Sequence, residues 1–90
     1  MFEVYFGNKR ANKDYEQLDQ KTRDRINEFC ELIKNVPVPF REYDIIKIVG
    51  RENSFRVRLG RHRMIYYVDE LSHKIYIIKI ELRDDSTYKD

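Results

Sequence analysis

Ninety residues, 41% of them hydrophobic and 13% aromatic, predict one domain spanning 1–90, with apolar material for one core and too little for two. A net charge of +2 alongside 38% charged residues predicts a well-solvated surface, and excludes a chain that is basic throughout. Cys30 stands alone, Glu3 interrupts the only apolar segment at the N-terminus and no run is long enough to span a bilayer. The expectation is a cytoplasmic protein with no disulfide, no thiolate metal site and no membrane partner.

The first element is a short strand, because Phe2, Val4 and Phe6 alternate with Glu3 and Tyr5 until Gly7-Asn8 ends the run. From Lys9 to Leu18, Ala11, Tyr15 and Leu18 recur at helical spacing, with Asn8 as N-cap. Asp19 or Thr22 begins a second helix whose stripe is Ile26, Phe29, Cys30 and Ile33. So little chain joins the two helices that they should form an antiparallel hairpin. Val36-Pro37-Val38-Pro39-Phe40 cannot extend the second, since each proline lacks an amide donor and pushes its predecessor toward extended geometry.

Four more strands follow. Ile45, Ile46, Ile48 and Val49 form one closed by Gly50, and Arg51-Glu52-Asn53 turns into the next. There Phe55, Val57 and Leu59 take one face and Arg56 and Arg58 the other. Gly60 turns the chain into a strand starting near His62, with Met64, Tyr66 and Val68 on one side and Ile65 and Tyr67 on the other. Asp69 to Lys74 is a hairpin loop, and the isoleucine-rich run from Ile75 to Leu82 is a central strand. Within it Ile78, Ile80 and Leu82 are expected to share one face and Lys79, Glu81 and Arg83 the other. The sum is an α+β domain of order β-α-α-β-β-β-β, its two-helix hairpin packed on one face of a mainly antiparallel, twisted sheet. The arginines lie on the uncovered face.

The window from Arg51 to Arg63 holds five arginines against the single acid Glu52, a formal +4 inside a chain of +2. An alternating charged strand is ordinarily a solvated face, here balanced by Glu52, Glu81 and the terminal aspartates. Charges of one sign, all arginine, shift the reading toward a polyanion, because a planar guanidinium suits phosphate better than an ammonium does. No Gly-flanked serine elbow, phosphate-cradling loop or metal-spaced cluster occurs, so neither a metal nor a nucleotide cofactor is expected. What remains is a convergent set of cations, Arg56, Arg58, Arg63 and Arg83, with Tyr88 near in sequence. Such a set can cleave RNA through attack by the substrate's own 2′-hydroxyl, stabilising the charge of the transition state. It would spare DNA, which lacks that nucleophile.

Other candidates read as structural. His73 belongs to a loop and is expected to be solvated, while His62 is turned away from Arg63 although Arg61 and Arg63 should lower its pKa. Cys30 is expected to be a small core residue, and Tyr66 and Tyr67 strand aromatics, of which only Tyr67 shares the parity of Arg63. Tyr88, in a polar tail, has no packing role that the sequence reveals.

In combination, Ile48-Val49-Gly50, Phe55-Arg56-Val57-Arg58-Leu59-Gly60, Arg63-Met64-Ile65-Tyr66, the strand ending Leu82-Arg83 and the terminal Tyr88-Lys89 resemble the RelE branch of the RelE/ParE toxin superfamily. Val36-Pro37-Val38-Pro39-Phe40 and Tyr43-Asp44-Ile45-Ile46-Lys47 resemble its archaeal members most. The resemblance implies a type II toxin–antitoxin toxin, an mRNA interferase that cuts mRNA in the ribosomal A site and is held inactive by a cognate antitoxin. It places the family's functional cations on Arg56, Arg58, Arg63 and Arg83 and its late, base-stacking tyrosine on Tyr88, with Lys47, Arg51 and Arg61 where relatives contact RNA or ribosome. The well-studied bacterial relatives carry lysines where this chain has Arg56 and Arg58. A guanidinium does not give up its proton, so charge stabilisation, not general-base catalysis, is the expected role. Two alternatives stay open: a ParE-like toxin that inhibits DNA gyrase by binding, and an inactive member that only binds its antitoxin.

Overall fold

The computed structural model describes residues 1–83. Its elements are β1 (Glu3–Phe6), α1 (Lys9–Glu16), α2 (Gln20–Ile33), β2 (Ile45–Lys47), β3 (Ser54–Leu59), β4 (His62–Asp69) and β5 (Lys74–Leu82), in the expected order. Asn8 caps α1 as anticipated, its side chain accepting from the Ala11 amide, and of the two starts open for α2 it is Asp19 that caps, accepting from the Thr22 amide. None of the described helices is long and apolar enough to cross a membrane.

The sheet order is β1-β5-β4-β3-β2, with β1 parallel to β5 and every other pair antiparallel. A parallel β1–β5 pair needs a long crossover, and the helical hairpin followed by β2 to β4 supplies it. Ala11, Ile26, Phe29 and Ile33 from the helices meet Val57, Leu59, Met64, Tyr66, Val68, Ile75, Ile77 and Ile80 from the sheet in one buried cluster. Fully burying each side chain of the α2 stripe stabilises by roughly 1.5–3 kcal/mol, which fixes the hairpin to that face alone. Tyr66, with no exposed surface, donates its hydroxyl to the Pro37 carbonyl at 2.8 Å and so moors the proline connector to the sheet. Burial pushes the pKa of that hydroxyl up.

Two expectations need correcting. β2 stops at Lys47, and Val49, expected in the strand, is 96% exposed, because the chain has begun a turn in which the Arg51 amide donates to the Ile48 carbonyl and Gly50 takes φ +84°. In β5, Ile78 does not share a buried face with Ile80 and Leu82. Tyr66 pairs with Ile77 while Ile65 pairs with Lys79, which leaves Ile78 as an extra residue in a bulge. The bulge resets the alternation, so Ile75, Ile77 and Ile80 are buried on one face; Leu82 shares that face with Ile80, as expected, but at the end of the strand it is 59% exposed.

Candidate functional site

Three cross-strand rows define the helix-free face. Glu81, Arg63 and Arg58 lie side by side on β5, β4 and β3, and beside them Lys79, Ile65, Arg56 and Ile46 form a row reaching β2. The third row is Tyr5, Tyr76 and Tyr67. Two-residue periodicity, reset on β5 by the bulge at Ile78, puts all of these on the face opposite the core. At the end of β5 the Arg83 amide donates to the Arg61 carbonyl at 2.7 Å, which carries Arg83 alongside the start of β4.

Arg56, Arg58, Arg63 and Arg83, distant in sequence, therefore line one hollow of about 240 Å³, together with Asp44 and Ile46. Its cations are partly balanced. Arg63 Nε lies 2.9 Å from Glu81 Oε2, an ion pair in which the buried Nε–H is not directed as a hydrogen bond, and Lys79 Nζ lies 3.3 Å from Glu81 Oε1. Arg58 Nη1 stands 3.6 Å from Asp44 Oδ2, both side chains more than half exposed, so that pair holds weakly. The Arg58 amide also donates to the Asp44 carbonyl at 3.0 Å, which ties the connector before β2 to the rim. Among the described residues, and with Lys79 included, five cations lie near the two carboxylates Asp44 and Glu81. Among the described residues no group of three or more His, Cys, Asp or Glu is placed to hold a metal ion.

No protein-family model matches the sequence. The chain is 32% identical to RelE1 of Methanocaldococcus jannaschii over 82 residues, which cover 91% of this chain and 90% of that protein. The chain belongs to the RelE toxin family. Solved structures agree: a chain of the archaeal RelE–RelB complex from Pyrococcus horikoshii superposes with a TM-score of 0.82 at 30% identity, covering 93% of this chain and 97% of that one. The RelB–RelE complex from Methanococcus jannaschii gives 0.71 at 26%, covering 94% of each chain. The isolated RelE toxin of E. coli gives 0.79 at 16%, covering 99% of this chain and 94% of that one, a likeness of fold alone.

The other residues that the RelE resemblance singled out are dispersed around this hollow. Lys47 and Arg51 line a separate depression at the β2–β3 turn with Ile48, Val49, Gly50 and Glu52. Arg61 is on the helix side with Lys21, Arg25 and His62. Tyr88 lies outside the described residues. His62 is turned from Arg63 as expected, and its pKa is lowered chiefly by burial, then by Arg61 and Arg25, against an opposing pull from Asp19. Arg63 has no part in that shift, contrary to expectation, because it projects from the other face. His73 is exposed, yet its ring stacks on Phe2 with centroids 5.0 Å apart, so it is not merely solvated. Cys30 sits half-buried beside the core, and burial pushes its thiol up to about 12, away from reactivity.

Sequence reasoning missed Asp44 and Ile46 as walls of the hollow and the Tyr5, Tyr76, Tyr67 row. Glu81 had been named as a balancing charge without a partner, and parity plus the hairpin register would have put it beside Arg63.

Proposed function

We propose that this RelE-family chain is the toxin of a type II toxin–antitoxin pair, a metal-independent endoribonuclease that cuts mRNA in the ribosomal A site and is restrained by a RelB-like antitoxin. The observation that carries this reading is the gathering of Arg56, Arg58, Arg63 and Arg83 around one hollow on the helix-free face. An antitoxin partner is supported by relatives solved as RelE–RelB complexes.

In the proposed reaction the 2′-oxygen of the substrate forms a bond to the adjacent phosphorus, and the bond from phosphorus to the next nucleotide's 5′-oxygen breaks. The 2′ proton goes to water and the departing 5′-oxygen takes one from water, leaving a 2′,3′-cyclic phosphate and a 5′-hydroxyl. Guanidiniums that keep their protons act by position and charge, holding the phosphate in line and stabilising its added negative charge. Arg56, Arg58, Arg63 and Arg83 are assigned this role, Tyr88 stacking on the nucleotide, and Lys47, Arg51 and Arg61 contacts with RNA or ribosome outside the hollow. Mapping 5′ ends of cellular mRNA after a pulse of expression tests the assignment. New ends inside coding regions should appear with the wild type and vanish with Arg83→Ala or Arg63→Ala. Intact mRNA accompanied by a DNA-damage response would instead identify a gyrase poison.

A further inference from the structure

The third row of the open face is unaccounted for by the cleavage chemistry. Tyr5 pairs with Tyr76 and Tyr76 with Tyr67 across β1, β5 and β4. Their rings are near-parallel, with centroids 6.1 and 6.5 Å apart and planes inclined by 29° and 25°. None of the three is buried, and Tyr5 is 43% exposed. Tyr67 follows Arg63 by four residues on β4, which at about 3.3 Å per residue places the tyrosine row about 13 Å from the arginine row. Lys79, its side chain 57% exposed, stands in the intervening row, and Lys74 Nζ lies 5.8 Å from the Tyr5 ring centroid on the far side.

We propose that Tyr67, Tyr76 and Tyr5 form a stacking platform for bases of the single-stranded RNA that flanks the phosphate held in the arginine hollow. The inference rests on the nuclease reading for the position of that phosphate. A row of aromatic faces stacks on any base without selecting sequence, and Lys79, between the two rows, suits the backbone that joins them. The platform has an end: the next row is Glu3, Lys74 and Asp69, acidic on balance, and Tyr5 already donates its hydroxyl to Glu3 Oε1 at 2.8 Å. Tyr67 and Tyr76 are therefore its principal members, and RNA running further would meet repulsion. A row serving the sheet alone would stabilise through the same cross-strand contacts, but its loss would not weaken RNA binding.

The test compares Tyr67→Leu/Tyr76→Leu with Tyr67→Phe/Tyr76→Phe in the full chain, using anisotropy of a labelled single-stranded oligoribonucleotide and cleavage of mRNA on ribosomes. The leucine pair should bind the oligoribonucleotide about tenfold more weakly and need correspondingly more toxin for half-maximal cleavage, with the maximal rate kept. The phenylalanine pair should stay within about twofold of wild type. Should the leucine pair unfold, intrinsic emission decides, since the chain has seven tyrosines and no tryptophan: saturating RNA should quench the wild type more than the phenylalanine pair, which lacks two of those emitters and keeps Tyr88, and equal quenching would overturn the platform. Unchanged RNA affinity in the leucine pair, or affinity lost for a RelB-type antitoxin but not for RNA, would overturn the platform. Loss of RNA binding in the leucine pair, with no cleavage of mRNA on ribosomes even by the wild type, would uphold the platform and sink the nuclease reading.

Discussion

Arg63→Met separates a functional guanidinium from a structural one. Methionine keeps the apolar stem under the sheet face and removes the charge, leaving Glu81 with Lys79 as its ion-pair partner at 3.3 Å. The lost pair with Glu81 is about a third exposed on each side, 32% and 29%, so solvent screens it and its contribution to stability is about 1 kcal/mol or less. For a domain of this size that is a fall in melting temperature of about 4–8 °C at most. Losing one of the groups that stabilise transition-state charge costs about a hundredfold to a thousandfold in rate, or roughly 3–4 kcal/mol. The two effects differ enough to be told apart: thermal melts by circular dichroism and cleavage rates on programmed ribosomes at saturating toxin, measured below the melt, should give a small shift and a large rate loss. A rate within threefold of wild type, or a loss no greater than the unfolded fraction accounts for, would refute the assignment of Arg63.

Further consequences concern the scaffold. Tyr66→Phe deletes the hydroxyl that reaches the Pro37 carbonyl and leaves a part-buried acceptor unpaired, so denaturant titration should show a loss of about 1 kcal/mol with activity at saturation retained. Asp19 caps α2, and its carboxyl is held below the ordinary carboxylate range first by its hydrogen bonds with Thr22. Its folded pKa lies below its unfolded one, so its contribution is present at neutral pH and is lost as pH falls through the depressed value. Asp19→Asn caps without ionising, so its melting temperature should fall less steeply than the wild type's on acidification below the ordinary carboxylate range. Equal slopes would show that the cap is not linked to pH.

Alternation and capping residues made most of the fold legible. Both N-caps, the α2 stripe, the ribbon's two faces and the turn at Gly60, which adopts φ +64°, follow from local spacing. What spacing could not give was anything set by register between distant strands. The bulge at Ile78 shifts the parity of β5 without a glycine or proline to mark it, so the grouping of Ile78 with Ile80 and Leu82 failed where the pairing of Lys79 with Glu81 on one face survived. The meeting of four arginines was legible once parity put them on the helix-free side, and its geometry followed from antiparallel pairing of Arg58 with Arg63. The counter-charges were harder: Asp44 arrives from a connector with no periodicity, and Glu81 reaches Arg63 only through the β4–β5 register. The tyrosine row needed three strands in correct alignment, including the parallel β1, before it existed at all.

The central claim, that the arginine hollow cuts RNA by turning the substrate's own 2′-oxygen on the neighbouring phosphate, is tested most directly with an mRNA carrying one 2′-deoxynucleotide at the cut position in the A site. The substituted message should be bound as tightly as its all-ribose counterpart and remain whole, while the all-ribose message yields fragments ending in a 2′,3′-cyclic phosphate and beginning with a 5′-hydroxyl. Cutting of the deoxy-substituted message at the same bond and an undiminished rate would contradict it.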